Sequence, residues 1–414
     1  MAKIKAFRAI RPKENLAGKV AALPYDVMNY EEAKEMVKGN PYSFLHIDRA
    51  EIDLEDGINP YDKKVYEKAK SNLNEFINKG IFIEDNEHNI YIYRQIMDGR
   101  VQTGIVCCTS IDDYLNGVVK KHEYTREDKE RDRINHVDYC NANTGPIFLT
   151  YKRHEEIDKI VENSTKKVPI YDFISEDGIT HIVWSIKDDE IIKKIIDVFD
   201  KIPSLYIADG HHRTAAAIKV GQMRREQNPN YRDEDEFNYF LSVLYPAEEL
   251  KIFDYNRVVK DLNGLTIEEL LNKIKEKFEV EKLRTVEEYK PEERHYFGMY
   301  THGVWYKLKA KQEKINEDDV VASLDVSILQ DNLLDPILGI KDPRKDDRIE
   351  FVGGIRGIKE LTKRANSDME IAFSMYPTSI EELMKIADEK KVMPPKSTWF
   401  EPKIRSGIFI HSLE

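Results

Sequence analysis

The chain has 414 residues, 41% of them hydrophobic and 34% charged, with a formal net charge of −12. That composition excludes a disordered or fibrous chain and predicts a folded protein of two or three domains. The acidic balance argues against a general nucleic-acid binder, and no apolar run approaches the roughly 18 to 20 residues that would span a bilayer.

The first residues lack the apolar stretch of an export signal, so a cytoplasmic location is expected. Residues 4–10 alternate like an opening strand, which Arg11 and Pro12 end. After a turn at Pro24, Tyr25 and Asp26, a helix is predicted from Tyr30 with Asn29 as its cap. Asp26 thus stands where a strand hands over to a helix. It reads either as a turn aspartate bonded to nearby backbone or as a working carboxylate. Residues 43–47 read as a strand carrying a packed His46. Residues 61–79 read as a helix whose stripe is Tyr66, Ala69, Leu73, Phe76 and Ile77. Three segments, 81–83, 89–95 and 101–110, are separated by Asp85-Asn86 and Asp98-Gly99 and predict an antiparallel meander. Cys107 and Cys108 fall in its last strand and, like Cys140, are read as small core residues because no paired metal or redox spacing is present.

A dense polar run occupies residues 120–133, with a helix predicted from near Thr125. A charge run is usually a solvated face, and that is the reading for residues 126–131. Residues 146–151, 181–185 and 204–208 read as strands, with a helix over 188–201. The strand at 204–208 runs into Asp209-Gly210, and an Ala-rich helix follows, placing His211, His212 and Arg213 on its first turn. The unpaired N–H groups of a helix start carry partial positive charge, Gly210 permits a tight turn and close approach, and Arg213 offers a bidentate fork. This pattern predicts a site for phosphate or carboxylate. The bland alternative is that the histidines merely cap the turn and Arg213 pairs with a surface carboxylate.

Farther on, residues 238–245 and 252–259 read as strands, the second carrying Arg257 as a phosphate contact or a structural ion pair. Residues 265–278 read as a helix capped by Thr266 with Glu269 in the capping-box position. Residues 295–299 and 304–308 are expected to pair, Gly353-Gly354 to follow a short strand, and residues 369–376 and 379–388 to form a strand and a helix. The tail at 393–407 holds three prolines, two aromatics and the anion donors Lys396, Ser397 and Lys403. It is read as a stiff loop that presents those donors to a ligand, the alternative being a docking tail whose aromatics hold domains together and whose cations are exposed. Three regions are expected: 1–151, 152–262 with the histidine box, and 263–414 with the tail.

Two resemblances attach to these residues. Gly210-His211-His212-Arg213 resembles the Gly-x-His-Arg box of the ParB/sulfiredoxin superfamily, including its free-serine kinases. More broadly, the blocks Leu23-Pro24-Tyr25-Asp26-Val27, Asn40-Pro41-Tyr42-Ser43-Phe44, His122-Glu123-Tyr124-Thr125, Gly145-Pro146-Ile147-Phe148, Asp209 to Arg213, Tyr255-Asn256-Arg257 and Met393 to Phe400 are similar to the DUF1015 family across nearly the whole chain. The resemblances imply an α+β fold of mixed sheets with covering helices around a ParB/sulfiredoxin-like core at 204–217. They further imply a phosphotransferase using ATP or ADP with magnesium on a small hydroxyl substrate, serine by association; the acidic charge and the lack of a long apolar run predict no nucleic-acid or membrane partner.

On that reading Asp209, Gly210, His211, His212, Arg213, Arg257, Lys396, Ser397 and Lys403 contact nucleotide or phosphate. Asp26 is the first candidate base, although the kinases use glutamate. Glu123 is the alternative base or a magnesium holder, and His212 joins the candidate catalytic groups. No Walker-type loop is present. The alternatives are a phosphoserine hydrolase and a nucleotide-binding module without turnover.

Overall fold

Long apolar alternations of the chain become strands of one sheet. In the computed structural model, residues 1–284 and 288–414 are described. The chain divides into two units, one formed by Met1–Leu250 with Pro402–Glu414 and the other by Lys251–Glu401. Both mix helices with sheets, so the fold class is α+β.

Among the described residues of the first unit, nine strands share the main sheet: β1 (Ile4–Lys5), β2 (Ile90–Met97), β3 (Arg100–Ser110), β4 (Val119–Lys120), β5 (Ile147–Tyr151), β6 (Tyr171–Ile174), β7 (Thr180–Ile186), β8 (Leu205–Asp209) and β9 (Tyr239–Pro246). Their order is β4-β8-β5-β9-β3-β2-β7-β6, with β1 added to β3. All five residues of β5 are buried, as expected of a strand covered on both faces. One core gathers Ile92, Ile105, Leu149, Ile207 and Phe240 with Ala217 and Ile218 of the helix that follows β8.

The hairpin of β2 and β3 matches the expected meander, but Phe82–Glu84 does not join it. That strand pairs with Ala9–Pro12 in a separate four-stranded sheet, together with Ile410–Ser412 and Ala142–Asn143. Its Phe82 packs in a second core with Phe44, Leu73 and Phe76, the last two from helix α1 (Lys63–Asn78). The predicted strand at 43–47 is instead the helical turn Leu45–Asp48. A short apolar run does not distinguish strand from helix, and here Ser43 Oγ accepts the Leu45 N–H while Phe44, Leu45 and Ile47 all enter that core.

Two further helices of this unit frame the site. Helix α2 (Glu127–Cys140) and helix α3 (His211–Gln227) pack together, with Val137 and Val220 buried in one cluster.

The second unit holds an antiparallel sheet. Its strands are β10 (Tyr255–Val259), β11 (Phe278–Lys282), β12 (Tyr296–Thr301), β13 (Val304–Ala310), β14 (Ile349–Gly353) and β15 (Ile371–Ser374), in the order β11-β13-β12-β15-β10-β14. Thr266 caps its helix through a capping box with Glu269, as the sequence predicts. Gly353 serves packing here: a β-carbon would stand 3.0 Å from the Trp399 ring. Among the described residues no helix is long and apolar enough to cross a membrane.

Candidate functional site

Strand pairing assembles the site before any side chain does. β8 lies parallel to β4, with Leu205 opposite Val119 and Tyr206 opposite Lys120. Two parallel strands leave a sheet at the same end, so the chain after β4, carrying His122 and Glu123, emerges beside the chain after β8, carrying Asp209, Gly210 and His211. The carboxyl ends of sheet strands are where ligands of open α/β sheets commonly bind.

At Gly210 the chain turns with φ 94°, a left-handed conformation, and starts α3. Glycine supplies no side-chain cap, so the N–H groups of the first turn are left for another acceptor. The Arg213 guanidinium folds back over this turn. Its Nη1 donates to the Pro146 carbonyl at 2.7 Å, while its Nε is buried without a hydrogen-bond partner among the described residues. Arg213 Nη2 and Lys403 Nζ stand 3.7 Å and 3.5 Å from the same oxygen, Oδ2 of Asp209. Burial alone would push the Asp209 carboxyl up, but Lys403, Arg213 and His211 overcome it and hold its pKa down at about 2. One carboxylate therefore fixes two cations at the head of α3, and the trio keeps one surplus positive charge.

Burial lowers the pKa of all three histidines. Burial lowers His122 to about 4 against the pull of Asp209. His211 falls well below its usual value through burial and the neighbouring His122. The two imidazoles meet edge to face, with centroids 4.5 Å apart. Glu123 Oε2 lies 3.9 Å from His211 Nδ1. His212 is also lowered, by burial first, with the charge of Asp26 opposing. Its Nε2 accepts the backbone N–H of Arg126 at 3.0 Å, which leaves Nδ1 as the protonated nitrogen. Asp26 itself is exposed in the turn after Pro24.

A second layer lies beneath. A cavity of about 20 Å³, close to the space of one water, is lined by Tyr25, Asp48, Arg133, Thr144, Gly145 and Arg213. Arg133 is buried, stacks 3.9 Å over the Tyr25 ring, and pairs with Asp132 at 2.8 Å. Burial opposes its charge, but Asp132, Tyr25 and Asp48 keep it protonated. Asp48 accepts from Thr144 at 3.0 Å, and burial raises its pKa. Sequence reasoning gave Arg133 no role: it closes the polar run at 120–133, of which only 126–131 reads as a solvated face. Its place at the end of a charged helical run does not by itself indicate burial.

The remaining candidates belong to the second unit. Arg257 is buried and donates to the carbonyls of Tyr255 and Lys396, the latter at 3.1 Å. Burial lowers its pKa to about 10. Ser397 donates to the Pro394 carbonyl at 2.6 Å, and the Lys396 ammonium sits 5.5 Å from the Tyr255 ring centroid.

Comparison with known proteins adds the following. The family described as "Protein of unknown function (DUF1015)" matches residues 4–327. No curated protein matches the chain. Among solved structures, the chain is similar to a free serine kinase variant in complex with AMP, with a TM-score of 0.37 and 15% identity over 74% of this chain and 92% of that one. It is also similar to a conserved hypothetical protein from Pyrococcus furiosus, with a TM-score of 0.36 and 17% identity over 74% and 95% of the two chains. SbnI from Staphylococcus aureus, truncated at its C-terminus, gives a TM-score of 0.40 and 10% identity over 73% and 85%.

Proposed function

The chain belongs to the DUF1015 family, and for this member we propose a nucleotide-dependent phosphotransferase that acts on the hydroxyl of a small metabolite, with serine as the favoured acceptor. The observation that carries the reading is the shared carboxylate oxygen: Asp209 holds Arg213 and Lys403 together at the uncapped start of α3. A phosphoryl group seated there would meet backbone N–H donors, a guanidinium and an ammonium, all pre-positioned. Fixed donors of that kind are what phosphoryl transfer chiefly requires. The resemblance of Gly210 to Arg213 to a nucleotide-phosphate box points the same way.

In this account Gly210 lets the phosphate approach, Arg213 and Lys403 offset the charge on the transferring group, and Asp209 keeps both cations in place. Asp26, exposed and close to His212, accepts the proton of the acceptor hydroxyl. Glu123 is the alternative base. Arg257, Lys396 and Ser397 take no assigned part. Nucleotide supplies the phosphate, and magnesium would be expected to travel on its oxygens. The group of His122, Glu123 and His211 does not suit magnesium, which prefers oxygen donors to imidazole.

The test separates transfer from hydrolysis. Purified protein is given phosphoserine without nucleotide, and inorganic phosphate is measured. No release is expected; release would replace the transferase with a phosphomonoester hydrolase using the same cations.

A further inference from the structure

Beside the phosphate-binding turn lies a group of side chains that phosphoryl transfer does not need. One nitrogen from each of His122 and His211 and one carboxylate oxygen of Glu123 lie within 4.8 Å of one another. Burial makes the arrangement costly as it stands. His122 and His211 are 2% and 7% exposed. Nε2 of His211 has no hydrogen-bond partner among the described residues, and the ring of His122 has only the Ile207 backbone close by, outside good hydrogen-bonding geometry. A buried polar atom left without a partner is costly, and such atoms ask for a missing water or ion. Three such atoms belong to these two touching rings, and one nitrogen of each ring lies within 4.8 Å of a carboxylate oxygen of Glu123.

We propose that His122, Glu123 and His211 bind a divalent transition-metal ion of the zinc or cobalt class. The donor set decides the class. Two imidazoles and one carboxylate suit borderline ions, whereas calcium and magnesium favour all-oxygen shells. Ligands around a metal at about 2.1 Å stand roughly 3.0–3.4 Å apart, so the group must contract by about an ångström or more on binding. Glu123 is the member placed to move, since its side chain is 41% exposed while both rings are packed. Three protein ligands leave coordination positions for water or a ligand oxygen, which is the pattern of a working site rather than a closed structural one. Parallel pairing of β4 with β8 builds the group, since it brings His122 and Glu123 to the first residue of α3.

The proposal stands on these residues whether or not the protein transfers phosphate. The full chain is stripped with a chelator and titrated with Co²⁺ in the absence of nucleotide and serine, and the visible cobalt bands are followed. One Co²⁺ per chain is expected, displaced by Zn²⁺ and undisturbed by excess Mg²⁺. Glu123→Gln, at the partly exposed position, should keep the fold and weaken Co²⁺ binding at least about tenfold. His122→Gln should do the same, with circular dichroism checking its fold. Absence of cobalt bands at excess Co²⁺, displacement by Mg²⁺, or unchanged affinity and spectrum in Glu123→Gln would each overturn the proposal.

Discussion

The Arg213 guanidinium lies against the α-carbon of Gly210: a β-carbon there would stand 3.1 Å from both Nε and Nη2 of Arg213. Position 210 is therefore restricted twice, by its left-handed φ of 94° and by the cation folded over it.

Gly210→Ala tests that double restriction. The left-handed backbone costs a residue with a β-carbon roughly 1–2 kcal/mol, which for a unit of this size lowers Tm by roughly 2–8 °C. The added methyl also displaces the guanidinium, so nucleotide affinity should fall with the Tm. A calorimetric titration with ADP checks it, and unchanged affinity would contradict the placement of phosphate at this turn.

Arg213→Lys keeps the charge but removes the fork that reaches both the Pro146 carbonyl and Asp209. Phosphotransfer should drop on the order of 10²-fold in kcat/KM, with the circular dichroism spectrum unchanged. Full activity would mean that Arg213 only braces the turn.

Asp209 predicts a response to acid. A carboxyl whose folded pKa lies below its unfolded one adds stability above the unfolded value and loses it as pH falls through the folded value. For Asp209 that window runs from the ordinary 3.8 down to about 2. Glu236, held by His411 and Lys5, loses stability in the same range, so the comparison must be between variants. Urea unfolding at stepped pH should show a shallower acid loss for Asp209→Asn than for the wild type. Lys403→Met should move the acid midpoint to higher pH. Equal profiles would remove the ion pair from the account.

His181 predicts a second window at milder pH. It is fully buried, with Tyr93 OH 2.7 Å from Nδ1 and Ser175 Oγ 2.9 Å from Nε2. Burial, then the nearby Arg405, lower its pKa to about 3. The unfolded chain takes up its proton first, near 6.5, so stability contributed by the neutral ring declines as pH falls from 6.5 towards 3. His181→Gln should flatten that part of the stability curve, and an unaltered slope would count against it.

Local rules made much of the chain legible in its sequence. The capping box at Thr266 needs only a hydroxyl and a glutamate three residues on, and the break at Asp209-Gly210 needs only a glycine before an Ala-rich run. What could not be read depends on residues far apart. Leu45–Asp48 became helix because its apolar side chains found a core, not because of their pattern. Arg133 is buried because α2 packs on α3, and the sequence shows it only as one more charge. The meeting of His122 and Glu123 with His211 follows from parallel pairing of two strands whose separation along the chain leaves no local trace. The tail was read as one loop, yet its contacts with Asp209 come through Lys403, while Ser397 is bonded to Pro394.

Phosphorus NMR of the purified protein with magnesium and serine, run separately with ATP and with ADP, tests the central claim most directly. The account predicts a phosphoserine resonance that appears only with nucleotide, identifies which nucleotide is the donor, and is lost in Arg213→Ala of unchanged fold. Nucleotide that binds tightly without any phosphorylated product in either tube, or product formed equally well by Arg213→Ala, would contradict it.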